Sequence, residues 1–260
     1  MLGNLLGNLY QKAISRIFGL DAIIEQKLPT LVRKEIDAAF FSFARGETGG
    51  RGIALDVEQA THFLAAVSSA EFVLEHMRMT RNVILAETLL KLALKNCAVD
   101  GLIMEFGVFR GNSLRVIADA TTQPVFGFDS FEGLPEDWNG LQKQGQFSLA
   151  GVAPQFEQSN VTLVPGWFEH TLPRFLEQHP GPARFIHVDS DIYSSAVTIL
   201  TALRERIVTG TVIQFDEYFN YAGWQHHEHK AFEEFIRDTG LKFEYLGYAS
   251  SQCAVAMKIV

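Results

Sequence analysis

Hydrophobic and polar residues follow two different periods along this chain, and the period changes near residue 101. In residues 1 to about 45, and again in 68–96, apolar side chains recur every three or four positions, which predicts amphipathic helices. The second helical stretch is expected to break near Thr80. The glycine-rich polar segment 44–52 predicts a surface connection or a hinge over a site.

After residue 101, short apolar runs alternate with amphipathic stretches. The runs are LIMEF (102–106), VFGFD (125–129), VTLV (161–164), RFIHVD (184–189) and TVIQFD (211–216). This alternation predicts a parallel sheet covered by helices on both faces. Two further runs, KFEYLGY (242–248) and CAVAMKIV (253–260), are separated by few residues. They predict a hairpin whose last strand enters the sheet antiparallel.

These patterns predict an α/β fold in two parts, a helical extension over residues 1–70 and a sheet domain over residues 71–260. The extension could act as a lid, as an oligomer contact or as a helix on a membrane surface. In open parallel sheets, ligands bind beyond the carboxyl ends of the strands. The residues that follow each strand are therefore the candidates for binding and chemistry.

The composition and charge of the chain argue against several classes of function. The net charge of −8 argues against nucleic acid as the main partner, because phosphate binding requires an excess of Lys and Arg on one face. No apolar run approaches the ~18 residues that a transmembrane helix needs, and the first residues lack the order of a secretory signal. Cys97 and Cys253 fit no metal or redox spacing. We therefore expect a cytoplasmic protein without a transmembrane segment.

The turn after the first predicted strand is similar to a dinucleotide-binding loop but departs from it. MEFGVFRGNS (104–113) retains Gly107, yet it has Phe109 and Asn112 where G-x-G-x-x-G requires its second and third glycines. The second glycine lets the backbone approach a pyrophosphate, so NAD or FAD binding is not favoured. S-adenosylmethionine contains no phosphate and therefore tolerates a ring at this position.

Polar side chains around this turn suit the groups of S-adenosylmethionine. A helix N-terminus capped by Asn112 or Ser113 can bind the carboxylate, and Glu105 can accept a hydrogen bond from the ammonium. Asp129 ends the next predicted strand, where it can accept hydrogen bonds from both ribose hydroxyls. The alternative interpretation is an ordinary βα turn with incidental glycines.

Four acids follow the fourth and fifth predicted strands: Asp189, Asp191, Asp216 and Glu217. If these strands are neighbours, the four carboxylates meet at one edge of the cofactor cleft, where their repulsion raises the pKa of each. A divalent cation relieves the repulsion, and ligands that are all oxygen favour Mg²⁺ or Ca²⁺ over zinc. Alternatively, acids at strand ends cap helices or stay solvated.

A divalent cation beside a sulfonium methyl donor supports methyl transfer to oxygen. An alcohol is a poor nucleophile until its proton is removed or its oxygen is polarised. A bound cation can hold the hydroxyl and lower its pKa, and Asp191 can accept the proton. The residues therefore predict an O-methyltransferase.

Four stretches together carry a resemblance to a known family: EFGVFRGNS, FGFDSFEGLPEDW, HVDSDIYSS and GTVIQFDEYFNYAGWQHHEHKAFEEF. They resemble the TylF/MycF/NovP family of metal-dependent, S-adenosylmethionine-dependent O-methyltransferases. The similarity extends over about residues 75–260, and the DSFEGLP run (129–135) is its most specific part.

The resemblance implies a class I methyltransferase fold, which is Rossmann-like, with a seven-stranded sheet whose last strand is antiparallel. The cofactor-binding residues that it implies are Glu105, Gly107, Gly111, Asn112, Ser113, Asp129 and Ser130, with Trp167 and Phe168 near the adenine. The implied Mg²⁺ ligands are Asp189, Asp216 and Glu217, with Asp191 as the catalytic base. The acceptor is then a hydroxyl of a sugar or sugar-bearing small molecule, and the protein is a homo-oligomer.

The chain departs from this family at one predicted metal ligand. Family members that act on antibiotic sugars often have two adjacent aspartates where this chain has Asp216 and Glu217. A glutamate side chain is longer by one methylene group, so we expect the metal geometry to differ.

Two other functions remain open from the sequence. A metal-dependent glycosyltransferase could use Asp189-Ser190-Asp191 to hold a nucleotide-sugar through Mn²⁺, but the glycine turn and Asp129 would then be unexplained. A non-catalytic S-adenosylmethionine-binding protein would retain the pocket without needing four acids. The histidines in HHEH (226–229) suggest the solvated first turn of a helix, and His187, inside a strand, suggests a core residue.

Overall fold

The computed structural model of the protein describes residues 57–260. The helical pattern predicted for residues 1 to about 45 and the segment 44–52 lie outside this range. The chain divides into two units, Met1–Thr61 and His62–Val260. The described part of the first unit begins at Val57, where a helix starts. The predicted boundary at residue 70 and the predicted roles of the extension stay predictions.

Eight strands form one sheet in the described part of the chain. They are β1 (Arg81–Asn82), β2 (Leu102–Phe106), β3 (Val125–Asp129), β4 (Val161–Pro165), β5 (Ala183–Val188), β6 (Val212–Phe215), β7 (Phe243–Tyr248) and β8 (Val255–Ile259). Their order is β1-β7-β8-β6-β5-β2-β3-β4. β8 pairs antiparallel with both β6 and β7, and the other neighbours are parallel. The predicted hairpin and antiparallel last strand are confirmed.

The sheet has one strand more than the seven predicted. Arg81 and Asn82 pair with Gly247 and Tyr248 at the edge of the sheet. Both residues of β1 are polar and exposed. Because β1 is held by backbone pairing and carries no apolar side chain, no hydrophobic pattern indicated it.

Six α-helices occur between residues 57 and 260. They are α1 (Val57–His76), α2 (Ala86–Asn96), α3 (Asn112–Asp119), α4 (Phe168–Gln178), α5 (Tyr193–Ala202) and α6 (Glu228–Thr239). The predicted break near Thr80 is confirmed, since α1 ends at His76 and α2 begins at Ala86. No described helix combines the length and the apolar character that crossing a lipid bilayer requires. The predicted homo-oligomer and cytoplasmic location stay predictions.

The sheet has a hydrophobic core on each face, because side chains alternate along a strand. Phe106 and Val188 belong to one core, which includes residues of α4, α5 and α6. Ile103 and Phe185 belong to the other, which includes residues of α2 and α3. In this three-layer arrangement, the carboxyl ends of the central parallel strands β2, β5 and β6 lie side by side.

Candidate active site

A cavity of about 530 Å³ opens at the carboxyl ends of the strands. Eight of the thirteen predicted site residues line it: Gly107, Asp129, Ser130, Trp167, Phe168, Asp189, Asp191 and Glu217. Glu105, Gly111, Asn112, Ser113 and Asp216 are not among its lining residues. The lining also includes aromatic rings that the sequence analysis did not select, among them Phe109, Trp138 and Phe147.

The glycine turn after β2 packs directly against the end of β5. Gly107 has a φ of +92°, and a Cβ atom built on it would lie 1.7 Å from the carbonyl oxygen of Asp189. Phe109 has a φ of +46°, and its ring lies 5.7 Å from that of Phe147 in an edge-on contact. The ring at the position of a second glycine is therefore accommodated as part of the cavity wall.

The predicted side-chain cap of α3 is wrong. The helix begins at Asn112, and its N-cap residue is Gly111, which has a φ of +77° and makes no side-chain cap. A left-handed conformation is accessible to glycine at little cost, whereas Asn112 and Ser113 lie inside the first turn. The cap position is therefore set by the backbone conformation of the turn.

Asp129 braces the glycine turn. Its Oδ2 atom accepts hydrogen bonds from the backbone N–H groups of Val108 at 2.8 Å and Phe109 at 2.7 Å. Its Oδ1 atom accepts one from Phe131 at 2.7 Å. An ionised carboxylate has about four acceptor positions, so capacity for a further donor remains. The predicted contact of Asp129 with ribose hydroxyls stays a prediction.

A row of charged groups, buried at Glu105 and His187 and partly exposed at Asp216, leads from the end of β2 to the acids after β6. His187 Nδ1 lies 2.8 Å from Glu105 Oε1, and its Nε2 lies 3.8 Å from Asp216 Oδ1. Burial alone would lower the pKa of His187, but the two carboxylates outweigh it and raise the pKa to about 10. The two carboxylates thus favour the protonated form of the ring. The prediction that His187 is a core residue is confirmed, since it is fully buried.

The Oε2 atom of Glu105 is buried and makes no hydrogen bond of normal geometry among the described residues, although the Ser113 hydroxyl is near enough to lower the pKa of the carboxyl. Burial raises the pKa of this carboxyl, and its hydrogen bond with His187 opposes that shift. An unpartnered acceptor of this kind fits a ligand donor such as an ammonium group. The predicted contact with the cofactor stays a prediction.

Three carboxylates form a group that could hold a metal ion. One oxygen from each of Asp189, Asp191 and Glu217 lies within 4.8 Å of the others. We call these three residues the acid cluster. They converge because β5 and β6 are adjacent parallel strands, as the sequence analysis supposed. Asp216 lies outside this group and pairs with His187, so its predicted role as a metal ligand stays a prediction.

The acid cluster is electrostatically strained in the absence of a cation. Burial, followed by repulsion from Asp216, raises the pKa of Asp189 and raises that of Asp191 to about 7. Burial and then repulsion from Asp189 raise the pKa of Glu217. The Oε2 atom of Glu217 is buried and has no partner in the described part of the chain. These are the conditions under which a bound cation is favourable.

Glu228 is an acid near the cluster that the sequence analysis did not identify. It begins α6, is fully buried, and belongs to the buried face of that helix together with Ala231, Phe232 and Phe235. These positions have the spacing i, i+3, i+4 and i+7 of an apolar stripe. A charged residue within such an apolar stripe is the feature of the sequence that could have identified Glu228. The neighbouring His229 is only partly exposed, and its ring lies 4.7 Å from that of Trp224.

Comparison with known proteins places these features in one family. The family model for macrocin-O-methyltransferases (TylF) matches residues 82–244, which are 163 of the 260 residues. A curated relative from Streptomyces olivaceus is 31% identical over 143 residues, covering 46% of this chain. It is the 8-demethyl-8-(2,3-dimethoxy-alpha-L-rhamnosyl)-tetracenomycin-C 4'-O-methyltransferase. The chain spans about half, 54%, of the length of this relative.

Solved structures are similar to part of the chain. The calicheamicin methyltransferase CalS11 is 22% identical and aligns with a TM-score of 0.52 over 67% of this chain and 77% of its own. The O-methyltransferase NovP is also 22% identical, with a TM-score of 0.49 over 66% of this chain and 78% of its own. The likeness to CalS11 confirms the predicted class I methyltransferase fold.

Proposed function

The chain belongs to the TylF family of macrocin-O-methyltransferases, and from this premise we propose that it is an S-adenosylmethionine- and Mg²⁺-dependent enzyme that methylates a hydroxyl of a sugar or sugar-bearing small molecule. One observation carries the proposal. A single cavity is lined both by the glycine turn after β2 and by the acid cluster after β5 and β6. A methyl donor and an activated hydroxyl can therefore be brought together there.

The cofactor is assigned to the end of the cavity near β2 and β3. Supporting observations are the tight turn at Gly107 and the spare acceptor capacity of Asp129, two residues that line the cavity. Trp167 and Phe168 line the cavity at the start of α4, where their rings can enclose a planar base. When bound, S-adenosylmethionine supplies an electrophilic methyl group.

The acid cluster fits a divalent cation because its donors are all carboxylate oxygens and one of them has no partner within residues 57–260. Asp189 and Glu217 would hold the ion, with Asp216 as the third predicted ligand. When bound, Mg²⁺ would polarise the acceptor hydroxyl and lower its pKa.

Asp191 is the proposed base. Its carboxylate lies in the acid cluster and lines the cavity, so it can accept the proton that the acceptor hydroxyl loses as its oxygen bonds to carbon. The residue is 9% exposed, which limits competition from water. The aromatic rings of Phe109, Trp138 and Phe147 form part of the same wall and would shield a bound acceptor from water.

The proposed function is tested by incubating the protein with S-adenosylmethionine, Mg²⁺ and a panel of glycosides. Since the curated relative acts on a rhamnosyl group, rhamnosides are the first acceptors to examine. The expected result is one added methyl group in the mass spectrum of a glycoside, with stoichiometric S-adenosylhomocysteine. Consumption of a nucleotide-sugar, with no methyl gain on any acceptor, would favour the glycosyltransferase instead.

We expect Asp191→Asn to lower kcat by about 10²-fold, the lower range for losing a general base. The affinity for S-adenosylhomocysteine, measured by calorimetry, should stay within about twofold. Asp238→Asn, an exposed change on α6, is the control and should leave both unchanged. If a high Mg²⁺ concentration restored kcat, Asp191 would be a metal ligand and the assignment as base would be wrong.

We expect Asp129→Asn to weaken S-adenosylhomocysteine binding by at least about tenfold. The asparagine keeps one acceptor oxygen but turns an NH₂ group toward backbone N–H groups, and a buried N–H left unsatisfied costs about 1–3 kcal/mol. The braced turn at Val108 and Phe109 should therefore loosen. Calorimetry measures the affinity, with Asp238→Asn again as control. Wild-type affinity in Asp129→Asn would exclude a bracing role.

A further inference from the structure

Glu228 forms hydrogen bonds to two separate loops of the site. Its Oε1 atom accepts from the backbone N–H of Ser190 at 3.1 Å and from the Ser190 hydroxyl at 3.3 Å. Its Oε2 atom accepts from the backbone N–H of Glu217 at 3.2 Å. Ser190 lies between Asp189 and Asp191. One carboxylate thus connects the loop after β5 with the loop after β6.

The first of these loops has a strained conformation. Asp191 has a φ of +64°, and the N–H of Ile192 donates to the carbonyl oxygen of Ser190 at 2.7 Å. This is a three-residue turn centred on Asp191, and a positive φ at the centre of such a turn is uncommon and costly. The strain persists only where surrounding contacts hold the loop. Glu228 holds its first residue, Ser190, through two hydrogen bonds.

The opposite side of the same loop is held by the glycine turn. The carbonyl oxygen of Asp189 lies where a Cβ atom on residue 107 would be. The peptide between Asp189 and Ser190 is therefore confined between Gly107 on one side and Glu228 on the other. Loss of either contact leaves the turn at Asp191 free to relax.

A buried carboxylate beside three other acids is unfavourable, because it loses its hydration and is repelled by their charges. Burial and the charge of Asp191 raise the pKa of Glu228, and the hydrogen bonds from the N–H groups of Ser190 and Glu217 oppose that shift by favouring the carboxylate. Only a carboxylate, however, offers two acceptor oxygens that can serve two loops at once. A glutamine would present an NH₂ group to one of the two N–H groups. An aspartate would be shorter by one carbon–carbon bond, roughly 1.5 Å.

From these contacts we propose that Glu228 is a positioning residue: it holds the loops of Ser190 and Glu217 in register and so sets the separation of the carboxylates in the acid cluster. The proposal rests on the proposed function, since the cluster matters only if it binds a cation and the acceptor hydroxyl. Glu228 itself need not touch either ligand.

The test compares Glu228→Asp, Glu228→Gln and Glu228→Ala with the wild-type chain, and uses Glu233→Gln, an exposed change on the same helix, as the matched control. Amide hydrogen exchange is measured first, without ligands, at Ser190 and Glu217. Mn²⁺ affinity is then measured by electron paramagnetic resonance, and S-adenosylhomocysteine affinity by calorimetry. Circular dichroism identifies any variant that is unfolded.

Glu228→Asp keeps the charge but shortens the side chain, so we expect faster hydrogen exchange at both amides. We also expect Mn²⁺ binding to weaken at least about tenfold, which is the usual effect of losing a residue that supports a metal ligand. S-adenosylhomocysteine affinity should change less than about twofold, and Glu233→Gln should match the wild type. An equal loss of both affinities would indicate general destabilisation and overturn the proposal.

Two further outcomes are decisive. If Glu228→Asp behaves as wild type while Glu228→Gln and Glu228→Ala lose Mn²⁺, then Glu228 acts through its charge and the positioning role is wrong. If the wild-type chain binds no Mn²⁺, the metal part of the proposed function fails. Exchange at Ser190 and Glu217 in the metal-free protein still decides whether Glu228 holds the two loops.

Discussion

Removing divalent cations with EDTA is expected to lower methyl transfer by at least about 10³-fold, and added Mg²⁺ is expected to restore it. A cation that polarises a substrate oxygen contributes several kcal/mol, and about 1.4 kcal/mol corresponds to a factor of ten in rate. The acid cluster consists of carboxyl groups only, so it cannot take the place of the cation. Without a cation, burial and mutual repulsion raise the pKa of Asp189, Asp191 and Glu217.

The control for chelation is EDTA already saturated with Mg²⁺, which should leave the rate unchanged. Asp189→Asn should reproduce the effect of chelation, and excess Mg²⁺ should not rescue it. S-adenosylhomocysteine binding should survive EDTA, because the glycine turn is braced by Asp129 and not by a metal. Full activity in protein shown by elemental analysis to be free of divalent metal would remove the cation from the proposed function.

The strands were predictable because the central ones are buried on both faces. A strand of this kind is a continuous apolar run, and β2 and β3 were predicted at their observed bounds, 102–106 and 125–129. β1 was not predictable by the same means, since Arg81 and Asn82 are exposed and contribute only backbone hydrogen bonds. A pattern of hydrophobic residues indicates which side chains are buried, but it does not indicate backbone pairing at the edge of a sheet.

The acids at the strand ends were also predictable, because adjacent parallel strands bring their carboxyl ends together. Asp189, Asp191 and Glu217 met as expected from that rule alone. Their supporting contacts were not predictable in the same way. The hydrogen bond that Asp129 accepts from the N–H of Val108 depends on how the turn folds back. The hydrogen bonds that Glu228 accepts depend on how α6 packs across two loops.

The sequence did give some indication of these supporting residues, because two of them are polar residues at positions predicted to be buried. Glu228 interrupts an apolar helix face, and such a position is costly for a charge unless hydrogen bonds compensate. His187 occupies a strand position directly opposite Glu105 in the sheet. In the sequence, each of these two residues is a polar residue within an otherwise apolar pattern. Only the register of the sheet and the packing of α6 show which groups form hydrogen bonds or ion pairs with them.

Gly107→Ala should destabilise the protein by more than about 4 kcal/mol, a loss found only for severe and specific defects. The new Cβ atom would lie 1.7 Å from the Asp189 carbonyl oxygen and 2.7 Å from its carbonyl carbon, and both are backbone atoms. The positive φ of +92° adds a further cost for any side chain. Relief requires the ends of β2 and β5 to separate.

Gly111→Ala provides the matched comparison, because this glycine also has a positive φ, +77°, in the same turn. Its added Cβ atom would meet the far end of the Phe156 side chain at 2.3 Å, and none of its three nearest contacts is a backbone atom. We expect a cost of about 1–2 kcal/mol from backbone strain alone. In a domain of this size, that corresponds to a fall in Tm of roughly 2–8 °C.

Thermal melting followed by circular dichroism separates the two variants. We expect Gly107→Ala to melt more than about 10 °C below the wild type, or to yield no folded protein. Any folded fraction should also bind Mn²⁺ poorly, because the displaced atom belongs to Asp189, a residue of the acid cluster. Gly111→Ala should retain Mn²⁺ binding. If the two variants melted within a few degrees of each other, the close contact between the glycine turn and the end of β5 would not be what holds Asp189 in place.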